Sequence, residues 1–361
     1  MSKLAPAQAA AVRTPLRRTA KAVRLLSLAS LVIVALATGV LWIVSERTWW
    51  GTLFTFLPRH AFLAVPTLLL VCSLFTDRRS ILVNLAAMAL AAGPLMGGHL
   101  PLLLFFGGTT PELGLKVVSC NVQAFEPDFE SVLREITALS PDVVALQEAP
   151  AENELFPRYF PGWHFLHADQ YWIGSRFPLR KVDLCHSGGV FSQPTALSVR
   201  IAAPQGAFVL HDVHLTTPRF GFQKLNWSSA LDGVGPRSIE SYTERRLAEA
   251  LQARAYVDKI SNKNDDGSPL PVLIVGDFNT PSVSRLYRAA WQGFTNAFNA
   301  AGLGFGYTAP CTRHRHWFND VPWVRIDHIL ADERWSISAC GVGRGNGSDH
   351  RLIWALLSRR K

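Results

Sequence analysis

The chain has 361 residues, of which 48% are hydrophobic and 17% are charged, an apolar composition for a soluble protein. The formal net charge is +9, but residues 1–111 hold ten Lys/Arg against two Asp/Glu, so residues 112–361 are nearly neutral. This distribution argues against nucleic-acid binding through a Lys/Arg-rich surface on the C-terminal two thirds.

The chain begins with a basic tail that precedes an apolar run. Residues 1–24 predict a basic cytoplasmic tail, and within it Met1–Ala20 is small and polar, which predicts disorder. Leu25–Val44 is uncharged and apolar over about 20 residues, the length that spans a bilayer as a helix. A cleaved signal peptide is the alternative, because Ala35-Leu36-Ala37 resembles a cleavage site. The apolar run continues to Val44 and two more follow, which favours an uncleaved helix.

Both later apolar runs are interrupted. Leu53–Phe75 is broken in its first half by Pro58-Arg59-His60, and Ile81–Phe106 is broken by Gly93-Pro94. Non-helical backbone at membrane depth is tolerated where protein covers it. We therefore expect residues 25–108 to form a membrane region with about three transmembrane helices.

Loop charges predict the orientation of this region. The positive-inside rule places the basic tail and the basic Asp77–Ser80 loop in the cytoplasm. Three spans then place everything after about Gly108 on the extracytoplasmic face of a multi-pass protein of the cell (inner) membrane. If only two runs span, the remainder is cytoplasmic.

A pattern of alternating strands and helices begins near residue 112 and defines a predicted domain, residues 112–361. Leu115–Val122 and Val143–Leu146 predict strands, and Asp128–Leu139 predicts a helix that its first residue can cap. Asn121 and Glu148 then lie at the carboxyl ends of two strands, the edge where ligands bind in α/β sheets.

The next segment predicts further strands. Short strands surround a turn at Gly174–Pro178, and Ala196–Ile201 and Ala207–Leu215 follow. The last of these carries His211 and His214 on opposite faces. A single histidine in a strand is more often structural than catalytic.

A long segment without a regular period follows. Thr216–Ser241 predicts a long loop, which in a compact domain is usually functional or disordered. Ser241-Tyr242-Thr243-Glu244 has the pattern of a capping box and predicts a helix that runs to about Ile260.

The most informative stretch is Pro271–Pro281. Val272–Val275 are consecutive large apolar residues and predict a strand buried on both faces. Asp277 and Asn279 are two residues apart, so on an extended segment they project together from the strand end. A carboxylate and a carboxamide there suit the handling of water and phosphate. An Asx turn is the alternative.

The C-terminal part predicts a helix and three strands. Ser284–Asn299 has a helical pattern, and Val324–Leu330 is a strand with Asp327 inside it. A buried aspartate needs a partner. Two more strands, Trp335–Val342 and Leu352–Leu357, complete the pattern.

The order of these pieces over roughly Leu115–Leu357 resembles the endonuclease/exonuclease/phosphatase superfamily, which includes deoxyribonucleases, abasic-site endonucleases, inositol 5-phosphatases and sphingomyelinases. Each motif is weak alone, but six occur in the order of the family. The motifs are Val-Val-Ser-Cys-Asn121, Leu-Gln-Glu148, Val-His214-Leu, Gly-Asp277-Phe-Asn279, Arg-Ile-Asp327-His and Gly-Ser-Asp349-His350.

The resemblance implies an α/β fold, a four-layer α/β sandwich with two mixed β-sheets and outer helices. It implies that Glu148, helped by Asn121 and Asp349, holds Mg²⁺ or Mn²⁺, since hard oxygen ligands fit such ions. Asp-His replaces the Asp-Tyr of the family at Asp327-His328.

The resemblance also implies roles in catalysis. Asp277 would orient or deprotonate the attacking water, and Asn279 and His214 would hydrogen-bond the phosphate oxygens. His350 would be a second group at the phosphorus, held in its tautomer by Asp327. Hydrolysis would proceed by in-line attack.

These observations predict a membrane-anchored hydrolase of a phosphodiester or phosphomonoester. A lipid head group is one candidate substrate, because a tethered domain meets lipid at high effective concentration. The protein would contact the membrane through its N-terminal helices. An extracytoplasmic nuclease acting on nucleic acid and a non-catalytic binding or scaffold domain are the alternatives.

Overall fold

The computed structural model describes residues 6–101, 114–123, 128–150, 154–186, 193–261, 269–311, 321–345 and 347–360, with side chains from residue 18 onward. An N-terminal helical region precedes an α/β domain. The helical region contains α1 (Pro6–Gly39), which continues through a π-helical turn (Val40–Val44) and a 3₁₀ turn (Ser45–Arg47), then α2 (Trp49–Phe56), α3 (Ala61–Thr76) and α4 (Arg79–Leu90), which ends in a second π-helical turn (Ala91–Leu95).

The predicted disordered tail is wrong for most of its length. Helix α1 already begins at Pro6. Residues 7–11 include four alanines, and alanine has the highest helix propensity. The helix therefore extends beyond the apolar run on its N-terminal side.

Helices α1, α3 and α4 pack side by side with their apolar side chains outward. Leu36, Leu68 and Leu82 are 65%, 66% and 74% exposed. The polar Asn84 is instead fully buried, and its side-chain amide donates to the hydroxyls of Ser27 (3.0 Å) and Ser73 (2.9 Å). Small and polar residues inside an apolar exterior are typical of helices packed within lipid.

In the part of the chain that the structure describes, one helix is long and apolar enough to span a membrane. It covers Arg18–Arg47, 30 residues that contain an 18-residue window with a mean hydropathy of 2.4. The second predicted span is two helices, α2 and α3, bent by 60°, because Pro58 interrupts the helical hydrogen bonding. The third is a shorter apolar helix, Arg79–Leu95, and the end of that predicted run lies outside the described residues. Among the described residues, only the first of the three predicted spans is therefore a single helix long enough to cross a bilayer.

Two six-stranded sheets form the α/β domain, as predicted. The first has the strand order β11-β12-β1-β2-β4-β3 and the second β5-β6-β7-β8-β10-β9. The strands are β1 (Leu115–Asn121), β2 (Val143–Gln147), β3 (His164–Ala168), β4 (Tyr171–Ser175), β5 (Leu179–Cys185), β6 (Ala196–Ala203), β7 (Gly206–His214), β8 (Val272–Asp277), β9 (Thr295–Asn296), β10 (Asp327–Ala331), β11 (Trp335–Val342) and β12 (Ile353–Arg359). Both sheets are mixed, since β1 and β2 run parallel, β7 and β8 run parallel, and the other paired strands are antiparallel.

The sheets pack face to face, and four of the helices of this domain cover their outer faces. The helices of the domain are α5 (Phe129–Ala138), α6 (Leu155–Tyr159), α7 (Arg219–Phe222), α8 (Trp227–Leu231), α9 (Val234–Ser261), α10 (Arg285–Trp291) and α11 (Ala297–Ala301). One apolar core lies between the sheets, a second lies under α5 and α6, and a third lies under α9 and α10. This layering explains why Val272–Val275 is buried on both faces.

The region predicted as one long loop contains two short helices, and the helix after it starts earlier than predicted. Helix α9 begins at Val234, so Ser241 lies within it and caps nothing. The Asp232 side chain instead accepts a hydrogen bond from the Val234 N–H (2.9 Å). Gly233 adopts φ +77°, a conformation that suits glycine and separates α8 from α9.

The helix predicted over Ser284–Asn299 is divided. Helix α10 ends at Trp291, strand β9 follows, and α11 begins at Ala297. The Asn296 side chain explains the second start, because it accepts hydrogen bonds from the Phe298 (3.1 Å) and Asn299 (3.2 Å) N–H groups.

The predicted strand over Val324–Leu330 begins later than expected. Val324 forms only an isolated bridge with Ala309, and strand β10 starts at Asp327. The aspartate is therefore the first residue of its strand rather than a central one, which places it at the sheet edge.

The helical region docks onto the α/β domain at the start of α10. The Glu46 carboxylate accepts hydrogen bonds from the N–H groups of Arg285 (3.0 Å) and Leu286 (3.4 Å). Backbone N–H groups at a helix start have no partner within the helix. The Arg288 guanidinium also lies over the Trp42 ring, 4.4 Å from its centroid.

A buried carboxyl group lies between the two sheets. Asp212 on β7 is fully buried and accepts a 2.5 Å hydrogen bond from the Gln147 side chain on β2. Its second oxygen has no partner. Burial raises the pKa of Asp212 well above its usual range, although the Gln147 hydrogen bond opposes this.

We expect Asp212→Asn to flatten the dependence of stability on pH. An acid with a raised pKa holds more protons when folded, so the free energy of unfolding falls as pH rises above the unfolded pKa of about 4. Thermal unfolding of the full chain in detergent should show this fall for the unmodified protein and less of it for the variant. Asp183→Asn, on an exposed strand position, is the control. Parallel curves for all three proteins would contradict the raised pKa.

Candidate active site

Polar residues meet where strands of both sheets end. Asn121 ends β1, and Glu148 follows β2, its parallel neighbour. His214 and Asp277 end β7 and β8, which also run in parallel register. Asp327 begins β10 and pairs directly with Asp277 across the antiparallel ladder. The strand register therefore brings these side chains to one edge.

A cleft of about 540 Å³ opens at this edge. Seven of the eight predicted site residues line it, and the eighth, Asp327, lies behind His350. The cleft is lined by Asn121, Gln123, Glu148, Ala149, Gln170, Gln193, Pro194, Thr195, His214, Leu215, Thr216, Thr217, Arg219, Phe220, Glu249, Asp277, Asn279, Asp349 and His350.

Asp277 lies at the centre of the cleft floor. Its carboxylate accepts hydrogen bonds from the side-chain amides of Asn121 (3.2 Å) and Asn279 (3.0 Å). The Nε2 atoms of His214 and His350 each lie 3.7 Å from the same oxygen, Oδ2. Four polar side chains thus surround one buried carboxylate.

The electrostatic surroundings of Asp277 suit a proton acceptor. Burial raises the pKa of Asp277 to about 6, and the nearby Asp327 adds to the rise. His350 and His214 oppose it, together with the Asn279 N–H. A general base works best with a pKa near the working pH.

His350 is held by Asp327 on the side away from the cleft. The Nδ1 atom of His350 lies 2.9 Å and 3.1 Å from the two Asp327 oxygens. Burial alone lowers the pKa of His350, but the carboxylates of Asp327 and Asp277 outweigh it, and the pKa is raised well above its usual value. This pair supplies the partner that a buried Asp327 requires.

Two groups of residues are candidates for holding a metal ion. Asp277, Asp327 and His350 offer ligand atoms within 4.8 Å of one another, and all three are buried. Glu148 and Asp349 are instead 37% and 13% exposed and line the cleft. Mg²⁺ retains waters and phosphate oxygens in its coordination shell, which needs an open site. We therefore favour the cleft-facing pair as carboxylate ligands.

Asn121 is turned so that its nitrogen faces the cleft. Its Nδ2 donates to Glu148 Oε1 (2.9 Å) and to Asp277, whereas its Oδ1 accepts from the Gln123 N–H (3.1 Å). In this orientation Asn121 aligns two carboxylates. Binding a metal through its oxygen, as the family resemblance implies, requires the amide to rotate.

His214 is oriented by a residue that the sequence did not indicate. Gln170 donates from its side chain to the Pro194 carbonyl (3.0 Å), so its oxygen accepts from His214 Nδ1 (2.5 Å). The Nε2 atom of His214 then faces Glu148 (3.5 Å) and Asp277. Gln170 lies in the turn between β3 and β4, where no motif marks it.

The side chain of Asn279 lies beside that of Asp277. The backbone between them forms a turn and is not extended. The φ of Asn279 is +48°, and its backbone N–H donates to Asp277 Oδ1 (2.8 Å), an Asx turn. The expected extended geometry is therefore wrong, although the two side chains do converge. Both N–H bonds of the Asn279 amide are used within the protein, on Leu215 O (2.8 Å) and Asp277.

A buried arginine that the sequence did not indicate supports this turn. Arg246 on α9 donates to the carbonyls of Asn279 and Thr216 and to the Thr280 hydroxyl. Its guanidinium lies 5.3 Å from the centre of the Phe56 ring in α2. Burial lowers the pKa of Arg246 to about 10, so it stays charged. Arg246 therefore connects the helical region to the sheet edge at which the polar residues of the cleft meet.

A sequence model of the endonuclease/exonuclease/phosphatase family matches residues 118–350. The chain belongs to this family. The match spans the motifs from β1 to His350 and confirms the superfamily that the motif order indicated. A comparison with curated proteins gives no match.

Solved structures agree with the endonuclease/exonuclease/phosphatase fold. A family protein from Bacteroides thetaiotaomicron superposes with a TM-score of 0.50 at 14% identity, covering 69% of this chain and 99% of its own. A mannosyl-6-phosphatase from the same organism gives 0.50 at 15% identity, covering 68% and 99%. At such identities these similarities concern the fold.

Family membership makes the chain a hydrolase of ester bonds, as predicted. Enzymes of the endonuclease/exonuclease/phosphatase family generally depend on a divalent metal ion. His328, where the family has tyrosine, is fully buried, and its Nε2 donates to the Thr280 carbonyl (2.9 Å). It supports the turn that carries Asn279.

We expect Asp327→Asn to lower kcat with little change in KM. The variant loses the carboxylate that orients His350 and favours its charged form, and correctly placed proton-transfer groups contribute about 10²–10⁴-fold. Steady-state kinetics on a phosphate ester, with thermal unfolding as a check on folding, measures the effect. Asp258→Asn, on the exposed side of α9, is the control. An unchanged kcat in a folded variant would remove the Asp327–His350 pair from the mechanism.

Proposed function

We propose that the protein is a membrane-anchored, divalent-metal-dependent phosphoesterase that hydrolyses a phosphodiester or phosphomonoester by in-line attack of water. The observation that carries this proposal is the surroundings of Asp277: a buried carboxylate with a raised pKa, faced by two histidines and flanked by an open pair of carboxylates. A phosphoester needs a base for water and donors for the developing charge, and this arrangement contains both.

Asp277 is the group proposed to orient and deprotonate the water. The side-chain amides of Asn121 and Asn279 both donate hydrogen bonds to its carboxylate. These bonds fix the orientation of the carboxylate and hence the direction in which it can accept a proton. A base fixed in this way pre-organises the attack and avoids reorganisation during the reaction.

The two histidines are proposed to contact the phosphoryl group. Their Nε2 atoms face the centre of the site, and each opposite nitrogen is held, His214 by Gln170 and His350 by Asp327. A charged His350 suits stabilisation of negative charge or protonation of the leaving oxygen. Asn279 would reach phosphate only if its amide turned away from Leu215.

The donor set of Glu148 and Asp349 fits a hard divalent cation such as Mg²⁺ or Mn²⁺. Such an ion would neutralise charge on the substrate phosphate. Asn121 would serve as a third oxygen ligand in the rotated orientation. Glu148 and Asp349, and not the buried Asp327 and His350, are therefore the residues that would hold the metal ion.

The packing of the helical region supports membrane anchoring, and we propose that α1, α3 and α4 all lie within the membrane. Their exterior is apolar and their interior polar. At one end of this bundle Arg24 pairs with Asp77 (2.9 Å), next to Arg78 and Arg79. The catalytic domain contacts the opposite end, through Glu46. The positive-inside rule then places the catalytic domain on the extracytoplasmic face.

The surroundings of the cleft mouth favour a lipid head group among the possible substrates. Arg219 and Phe220 of α7 line the cleft, and on the next helix Trp227 and Leu231 are 90% and 88% exposed. Phe222 of α7 packs against Phe56 of α2 (5.7 Å between ring centroids). The mouth is thus continuous with the helical region proposed to lie in the membrane.

Parallel assays on the full chain in detergent test the proposed function. The substrates are bis-p-nitrophenyl phosphate, p-nitrophenyl phosphate, phospholipid vesicles and plasmid DNA, each with Mg²⁺ and with EDTA. Asp277→Asn, which keeps the shape of the side chain, serves as the inactive control. EDTA-sensitive turnover of esters or lipid supports the proposal, plasmid cleavage identifies a nuclease, and no turnover with a folded protein points to the scaffold alternative.

We expect Glu148→Gln to weaken metal dependence specifically. Replacing one carboxylate ligand by an amide should raise the Mg²⁺ concentration for half-maximal activity by about 10–100-fold. Calorimetric titration with Mn²⁺ measures binding independently of turnover. Glu244→Gln, an exposed position on α9, should behave as the unmodified protein. A metal titration that is unchanged in Glu148→Gln would exclude Glu148 as a ligand.

A further inference from the structure

Two arginines are buried where the helical region meets the α/β domain. Arg59 lies in the break between α2 and α3, and Arg325 lies just before β10; each is 3% exposed. Both line one small cavity, which we call the seam cavity. Residues of both parts of the chain complete its walls, among them Met96, Ser282 and Tyr307. The cavity thus belongs to neither part of the chain alone.

Both guanidinium groups have nitrogen atoms without a hydrogen-bond partner. Arg59 donates from Nη1 to the Thr55 carbonyl (3.0 Å), and its Nε has no hydrogen-bond partner. Arg325 donates from Nη2 to Ser282 Oγ (2.9 Å) and Asn299 Oδ1 (2.6 Å), whereas its Nε and Nη1 have none. Among the described residues, neither arginine forms an ion pair.

Two buried positive charges that lack an ion pair among the described residues carry a large cost of lost hydration. Native proteins pair a buried charge with an opposite charge, because the loss of hydration is otherwise uncompensated. Burial lowers the pKa of Arg325 to about 10, so this guanidinium remains charged near neutral pH. The Phe298 ring, 4.3 Å from the Arg325 guanidinium, attracts the cation but cannot accept its N–H groups in line. Among the residues that the structure describes, no carboxylate balances this charge, and a bound anion would do so.

We propose that the seam cavity binds one small monatomic anion of the halide class, with chloride as the physiological occupant. The guanidinium groups of Arg59 and Arg325 would donate to it from opposite parts of the chain. The cavity has a volume of about 10 Å³, which is room for a single species close to a water molecule in size. Phosphate, sulfate and carboxylates are too large.

The anion would hold the helical region against the α/β domain, close to the turn that carries Asn279. Ser282, which accepts from Arg325, is close in sequence to Asn279 and Thr280. Tyr307, another wall residue, donates from its hydroxyl to the Met96 carbonyl (3.2 Å). The anion site therefore has a role that is separate from the proposed hydrolysis. It would join the two parts of the chain whether or not substrate is bound.

Thermal unfolding of the full chain in detergent tests the anion site. Chloride is titrated against gluconate at constant ionic strength, because gluconate is too large for the cavity. We expect a saturable rise in Tm with chloride, since a ligand that binds only the folded state stabilises it by mass action. Arg325→Gln should lose the saturable rise, and Arg344→Gln, an exposed arginine, should keep it.

Crystals of the unmodified protein grown with bromide provide a second measurement. Bromide replaces chloride and is detected by anomalous scattering, so this measurement does not depend on whether Arg325→Gln folds. A peak between Arg59 and Arg325 supports the proposal. Coincident chloride and gluconate curves for the unmodified protein, or bromide crystals without a peak in the seam cavity, would overturn it.

Discussion

The hydrogen bonds from the Asn121 amide to Glu148 and to Asp277 are the contacts on which the catalytic edge depends. Asn121 and Glu148 belong to the first sheet and Asp277 to the second, so one side chain fixes the distance between the two halves of the site. The apolar core between the sheets makes this possible, because close packing leaves the facing strand ends little freedom to shift. The site is therefore a property of the packed sheets and not of any one loop.

The helical region is joined to this edge by more than the chain itself. Glu46 caps α10, which begins soon after the turn that carries Asn279, and Arg246 bridges Phe56 and the same turn. Buried hydrogen bonds to charged groups are stronger than neutral ones. The segment proposed to lie in the membrane thus supports the position of the catalytic turn, which gives it a structural role beyond anchoring.

The domain buries charge in three different ways. Asp327 is paired with His350, so both side chains are satisfied and the histidine is favoured in its charged form. Asp212 has a single neutral partner, and its raised pKa reflects the cost of ionisation between the sheets. Arg325 keeps its charge because guanidinium loses its proton only at high pH, and the anion proposed for the seam cavity would balance it. The pKa of each side chain decides whether it can be buried in its neutral form or must be paired with an opposite charge.

The sequence by itself determined the alternation of strands and helices and which residues stand at strand ends, and the family resemblance of its motifs implied the two-sheet α/β fold. Runs such as Val272–Val275 report burial directly, and the order of six polar motifs identified the family. Local patterns did not reveal Gln170 or Arg246, since their partners are distant in sequence. The start of α9 and the turn at Asn279 also depended on glycine and backbone conformations that a periodic pattern does not encode. Amide orientations, and the meeting of Arg59 with Arg325 in one cavity, were decided only by tertiary packing, because hydrogen-bond partners and burial exist only once the parts of the chain are brought together.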